Sequence, residues 1–355
     1  MKISRFVLAG LALAIAACSS APPPVQPRLQ ALRATEVLSD QDFAVPVDGG
    51  LTTLLPVYSN VKLVESHPGI DRAVIAIQTQ TRDAFAVFDT LKTALGAPAA
   101  EGGTTALLVP QFLSQQDIDR HQLGPDFARW TVDGWMTGVG TRTVSLRDAG
   151  VPVSSFAALD ALLLYLSDRA QYPDLAEIVL VGHSTSGRLV QLYAATAKGL
   201  AAPRASGIRV RHVVASPESH LYFDERRFAR PDQPLLPFER ERCQSYQQWP
   251  YGTVLAPAYA SGQLGRDLAQ HYAGADMLLV RAERDGEPAD RGCEAMAQGR
   301  TRAERLDNHL RYIAQFLGSA PAGVRGVVAR GADSSLRGMF ASQCLREILA
   351  GAEGC

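Results

Sequence analysis

Ser184 is the residue around which chemistry can be arranged in this chain. It lies in IVLVGHSTSGRLVQL, from Ile178 to Leu192. The apolar run Ile178–Val181 ends at Gly182, and Leu189, Leu192 and Tyr193 then follow with helical spacing. Strand, tight turn and helix is the setting in which a serine sits on a strained turn, its hydroxyl clear of the sheet and close to a helix N-terminus. The usual spacing is G-x-S-x-G, and Ser186 occupies the closing glycine position. The plainer alternative is a strand-to-helix turn with Ser184 as an N-cap. As a nucleophile Ser184 would need a base, an acid to orient that base, and two N–H donors for an oxyanion. The backbone N–H groups of Thr185 and Thr79 are the expected donors. Asp285, just beyond the apolar run 275–282, is the expected acid, with Glu283 and Asp290 as competitors.

The base is where the pattern breaks. In the serine, acid, histidine chain order that a G-x-S-x-G turn implies by resemblance, it comes after the last strand, near 330–335, and that stretch reads RGADSS without a histidine. Ala332 stands at the expected position. Beyond Ser184 the chain has His212, His220, His271 and His309. His220 follows a strand end and is the one weak substitute. The others read as structural residues within a strand or helical stretches.

These residues need a scaffold of alternating strands and helices. Apolar β-type runs are expected at 54–64, 72–77, 105–112, 177–181, 208–215, 275–282 and 324–329. Helical spacing is expected at 83–95, 155–171, up to 198 after the elbow, 290–316 and 336–350, with Ser154 or Ser155 capping the second. Alternation of this kind predicts an α/β fold, with a mostly parallel sheet covered by helices on both faces. Sites in such sheets lie at the carboxyl ends of the strands, where Ser184 and Asp285 both fall. The Gly- and Trp-rich stretch 115–147 reads as a long surface excursion, and the Pro- and aromatic-rich 216–264 as a lid or cap.

The 355 residues carry a net charge of −1 and are 46% hydrophobic. A large core is therefore available, and no global charge draws the chain to nucleic acid. Lys2 and Arg5 precede an apolar run, Phe6 to Ile15, too short for a membrane helix. The run ends in Ala16-Ala17-Cys18, which resembles a bacterial lipobox. That resemblance implies cleavage before Cys18 and acylation there, the plain signal peptide being the alternative. With Ser and not Asp at position 20, the same resemblance implies the outer membrane, facing the periplasm. The expected organisation is a leader at 1–17, a lipidated tether at 18–48 and one domain at 49–355. Export favours disulfides. Cys243, Cys293, Cys344 and Cys355 allow three pairings, and sequence does not choose. Our expectation is Cys243–Cys293 with Cys344–Cys355, the second pinning the tail. No CxxC or His-Cys cluster suggests a metal, and no cofactor is expected.

From about Asp71 to Leu349 the chain resembles α/β-hydrolases of the secreted or lipidated bacterial kind. RAVIAIQTQTRDA, VPQFL, RWTVDGW, SSFAALDALL, VLVGHSTSG and VASPESHLYFDERR carry the likeness. It continues through CQSYQQWPYG, CEAMAQGRTRAERL and RGMFASQCLREIL. The resemblance implies the α/β-hydrolase fold and a serine-acid-histidine hydrolase of ester-like bonds. The chain departs from it at Gln78-Thr79, where His-Gly is usual, at Ser186, and at Gly331-Ala332-Asp333, where Gly-His-Asp is usual. Two functions follow. One is a weakly active or non-catalytic hydrolase-fold protein that binds a small ester-like ligand or an envelope protein. The other is an active carboxylic-ester hydrolase with a non-standard base.

Overall fold

The computed structural model describes residues 34–47, 50–141, 152–228, 233–263, 265–284 and 290–355. Cys18, the leader, most of the tether and Asp285 lie outside these residues. In chain order the first elements are β1 (Asp42–Val47), β2 (Leu51–Ser59), β3 (Arg72–Ala76), α1 (Ala84–Leu95) and β4 (Thr105–Pro110). Then come α2 (Gln115–His121), α3 (Ser155–Leu166), β5 (Glu177–His183), α4 (Thr185–Thr196), α5 (Ala201–Ala205) and β6 (Arg209–Ala215). A short pair, β7 (Arg226–Phe228) and β8 (Leu235–Pro237), precedes α6 (Gly265–Ala273) and β9 (Asp276–Arg284). The chain closes with α7 (Cys293–Met296), α8 (Arg302–Leu317), β10 (Val324–Asp333), α9 (Leu336–Ala341) and α10 (Gln343–Leu349).

Eight strands form one sheet in the order β1-β2-β4-β3-β5-β6-β9-β10. β1 pairs antiparallel with β2, and β2 with β4; from β4 onward every pairing is parallel. The central strands read as continuous apolar runs because both faces are covered. Ile178 and Leu180 of β5 face one apolar layer, Val179 and Val181 the other. The first layer takes residues of α3, α4, α6 and α8, the second residues of α1, α9 and α10. Several helices start where a side chain satisfies a free N–H group. Asp83 accepts from Ala86 N, Ser154 from Phe156 N and Thr301 from Glu304 N.

Several expectations are corrected. The expected tether boundary at residue 48 is too late, since Phe43 and Val45 of β1 are buried in the core. The stretch 115–147 is no surface excursion in its described part, because Trp130 and Trp135 are buried against Phe112, the first edge-on and the second stacked. The proposed cap at 216–264 begins as core, with Leu221, Tyr222 and Phe223 buried in the first layer. The last helix divides at Ser342, whose hydroxyl caps α10. No helix among the described residues is long and apolar enough to cross a membrane.

Both expected cysteine pairs are bonded, with Cα separations of 5.5 Å for Cys243–Cys293 and 5.1 Å for Cys344–Cys355. Glu294 lies beside the first pair, but both sulfurs there are committed to each other rather than to a metal. The second pair closes the tail over the amino ends of the strands. There Glu353 meets Arg211 (2.8 Å), Arg325 (3.1 Å) and Arg209 (2.5 Å). Hydrogen bonds from Arg209 chiefly, then from Arg325, pull the Glu353 carboxyl down to about 2. A lowered carboxyl stabilises the fold above its ordinary value of 4.5, and that contribution is lost as pH falls toward 2. Glu353→Gln is therefore expected to unfold at lower urea than wild type near about pH 6. The two urea midpoints should converge near about pH 2; a gap that persists there would exclude this ion cluster as its source.

Candidate active site

β5 delivers Ser184 to the carboxyl end of the sheet between β3 and β6. Ser184 has φ 58° and ψ −119°, a conformation rare for a residue with a side chain. It follows from how closely β5 and α4 approach. A Cβ on Gly182 would fall 2.2 Å from the Ser186 carbonyl oxygen, and one on Gly187 would fall 2.9 Å from that of Ala215. The Ser184 N–H donates to the Ala215 carbonyl at 2.8 Å, tying the turn to the end of β6. Ser184 is thus an elbow residue; its side chain caps no amide of α4.

The sequence departures at the elbow now have structural explanations. Ser186 is buried, and its hydroxyl donates to the Gln78 carbonyl. A side chain fits there because a neighbouring carbonyl accepts its hydroxyl. Gln78 itself replaces a piece of backbone pairing. Its Nε2 donates to the Phe112 carbonyl and its Oε1 accepts from the Phe112 N–H, both at 3.1 Å. Thr79 begins a tight turn in which its carbonyl accepts from Arg82 N at 2.9 Å, while its hydroxyl meets that of Thr81 at 2.8 Å. Arg82, at φ 62°, is fixed by a buried ion pair to Asp117. Thr79 therefore lies on a braced loop linked to the elbow through Gln78. Thr185 is the first residue of α4, so its N–H is one that a helix leaves without an internal acceptor.

The Ser184 hydroxyl has a partner that sequence reasoning missed. Oγ donates to Oε1 of Glu218 at 3.0 Å. Glu218 lies in the loop after β6, at the same end of the sheet as the elbow. Arg305 holds this loop by donating to the Glu218 carbonyl, and it ties in the next segment through the Asp290 carbonyl at 2.6 Å. Gln298 grips the backbone of His220 from both sides, at 2.7 and 2.8 Å. The one available signal was a carboxylate three residues past a strand that pairs with the elbow strand.

The substitute base is corrected. His220 is fully buried, and its Nδ1 accepts from Gln191 Nε2 at 2.9 Å. Gln191 is seven residues along α4 from Ser184, roughly 10 Å of helix rise. The imidazole of His220 stacks on that of His309 with centroids 4.5 Å apart, and Tyr272 bonds His309 at 2.9 Å. Desolvation, with the Arg305 charge, lowers the His220 pKa to about 3, so it is held neutral as a core residue. His183, beside the nucleophile, instead meets the Ser334 carbonyl through Nε2 at 2.9 Å.

Of the expected acids, Asp285 falls outside the described residues. Glu283 accepts from Gly331 N at 2.8 Å, and Asp290 accepts from Tyr251 Oη at 3.2 Å. Ala332 is also corrected. It is not in a loop after the last strand but inside β10, buried in the apolar layer with Ala282, Met339 and Phe340.

With this geometry in place, solved structures provide the comparison. The poly(aspartic acid) hydrolase-1 of Sphingomonas sp. KT-1 matches with a TM-score of 0.53 and 18% identity, over 85% of this chain and 96% of that one. The poly(3-hydroxybutyrate) depolymerase LpqC of Bordetella parapertussis matches with a TM-score of 0.53 and 17% identity, over 87% and 89%. No family model and no curated protein matches the sequence. The fold is that of the α/β-hydrolases. This chain is an α/β-hydrolase-fold protein whose serine elbow is retained and whose serine bonds a carboxylate.

Ala332→His would place an imidazole in a close-packed apolar layer. It is expected to lower unfolding free energy by about 1–3 kcal/mol in urea titrations and to add no hydrolysis of p-nitrophenyl acetate. A gain in turnover with stability intact would show that the new ring reaches Ser184.

Proposed function

We propose that the protein is a slow carboxylic-ester hydrolase in which Ser184 is the nucleophile and Glu218 its proton acceptor. The carrying observation is the 3.0 Å hydrogen bond from Ser184 Oγ to Glu218 on a strained elbow. Ser184 Oγ would attack the ester carbonyl carbon as its proton passes to the Glu218 carboxylate. The tetrahedral oxyanion would face the Thr185 N–H, with Thr79 as the second donor. Collapse would break the bond to the leaving oxygen, which takes the proton from Glu218. Water would then cleave the acyl-serine by the same path in reverse. A carboxylate is a weaker base than an imidazole by about two pK units on reference values, which makes turnover slow at neutral pH.

A second reading, binding of a ligand or envelope partner without turnover, is favoured by a different observation. Among the described residues no imidazole bonds the Ser184 hydroxyl: His183 meets Ser334 and His220 meets Gln191. A fluorophosphonate probe separates the two. The hydrolase reading expects labelling of wild type, none of Ser184→Ala, and a labelling rate reduced by about a hundredfold in Glu218→Gln. An unlabelled, folded wild type would leave only the binding reading.

We further propose a lipid anchor at Cys18, holding the domain on the periplasmic face of the outer membrane. The lipobox-like Ala16-Ala17-Cys18 supports it, and more than one acyl chain would make the attachment stable. Cells fed an alkynyl fatty acid should label the wild-type chain and not Cys18→Ala, which should leave the membrane fraction. An unlabelled wild type recovered in soluble extracts would sink the anchor.

A further inference from the structure

The described chain has several buried arginines, of which Arg211, Arg227 and Arg188 each leave Nε without a hydrogen bond, and Arg188 has the fewest bonds at its other nitrogens. Arg82 pairs with Asp117, and Arg211 with Glu353 and Glu177. Arg305 donates to the carbonyls of Gly299, Glu218 and Asp290. Arg227 donates to the carbonyls of Asp224, Arg226 and Tyr246 and to Gln247. Arg188 is more than nine-tenths buried, with a hydrogen bond from Nη1 to the Ser219 hydroxyl at 2.9 Å and a looser polar contact with the Tyr251 hydroxyl. Its Nε is enclosed without a partner. Nη2 makes no such bond and is not among the enclosed unpaired atoms, so it keeps an open edge. The Tyr251 ring covers the guanidinium at 5.2 Å, and the Tyr251 hydroxyl is turned to Asp290. Neither Asp290 nor Glu218 forms an ion pair with Arg188.

Placement gives this cation a purpose. Arg188 lies four residues after Ser184 on α4, on the same helix face, and helical side chains lean toward the N-terminus, here toward the elbow. Its bonded partner Ser219 adjoins Glu218, which accepts from Ser184. A buried guanidinium is costly unless an anion compensates it, and its planar fork suits a carboxylate with two parallel N–H bonds. Tyr251 supplies a stacking wall without neutralising the charge.

We propose that Arg188 binds a carboxylate on the substrate of the Ser184 site, so that the substrates are half-esters of short dicarboxylic acids or esters bearing an anionic group a few atoms from the scissile carbonyl. This rests on Ser184 acting on esters, and the test separates the two ideas. The mono-p-nitrophenyl ester of glutarate is compared with p-nitrophenyl butyrate on the full-length protein. Wild type is expected to favour the half-ester by about tenfold or more in kcat/KM, and Arg188→Gln to bring that ratio close to one. Turnover with a ratio near one that Arg188→Gln leaves unchanged overturns the proposal. If neither ester turns over, the nucleophile reading fails and a calorimetric titration with glutarate decides for Arg188. Saturable binding to Ser184→Ala that is absent from Ser184→Ala/Arg188→Gln supports it, and no binding overturns it. Should Arg188→Gln not fold, wild type suffices: glutarate binding without glutaramide binding supports the carboxylate site, and equal binding or none overturns it.

Discussion

At Ser184 the backbone is held at φ 58° and ψ −119°, a conformation that costs of order 1–3 kcal/mol and persists only where surrounding contacts over-determine it. Those contacts are the near-collision of β5 with α4. Gly182 lies against the Ser186 carbonyl and Gly187 against that of Ala215. The Ser184 N–H is meanwhile pulled onto the end of β6. Both strands are fixed by pairing on either side and by apolar layers above and below. Strain at the serine is thus offset by the core, and the hydroxyl emerges where α4 begins.

The rest of the site is assembled by side chains that stand in for backbone. Gln78 completes the pairing of the β3 and β4 ends, Gln298 clamps the loop after β6, and Arg305 gathers carbonyls from three segments. Each satisfies buried polar groups that irregular loops would otherwise leave unpaired, a cost of about 1–3 kcal/mol apiece. The consequence is a carboxylate, Glu218, presented from a braced loop. The histidines after Ser184 with buried imidazoles near α4 are spent elsewhere. His220 and His309 form a stacked pair in the core, kept neutral by desolvation and bonded to Gln191 and Tyr272. Polar groups of this kind tie α4, α6 and α8 together, since Gln191, Tyr272 and His309 bond one another across them.

Much of the scaffold was legible in the amino-acid order. Continuous apolar runs such as Val179–Val181 announce strands covered on both faces, and Ser154 and Asp83 mark helix starts by chemistry that acts within a few residues. The glycine and serine spacing around Ser184 marked the elbow for the same reason. Reading failed where composition was taken for exposure. Trp130 and Trp135 lie in a glycine-rich stretch yet pack against Phe112 in the core, and Ala332 belongs to the end of β10 because that strand runs on to Asp333.

The sequence by itself therefore determined the alternation of elements, the elbow and the absence of a histidine after the last strand, since all three are properties of neighbouring residues. Tertiary structure alone decided what the serine touches. Glu218 is 34 residues from Ser184, and the two meet only because β5 and β6 lie side by side and both end at the same edge of the sheet. Which side chain reaches across that edge depends on the path of a loop held by Arg305 and Gln298, residues from still later in the chain. No local pattern encodes that meeting.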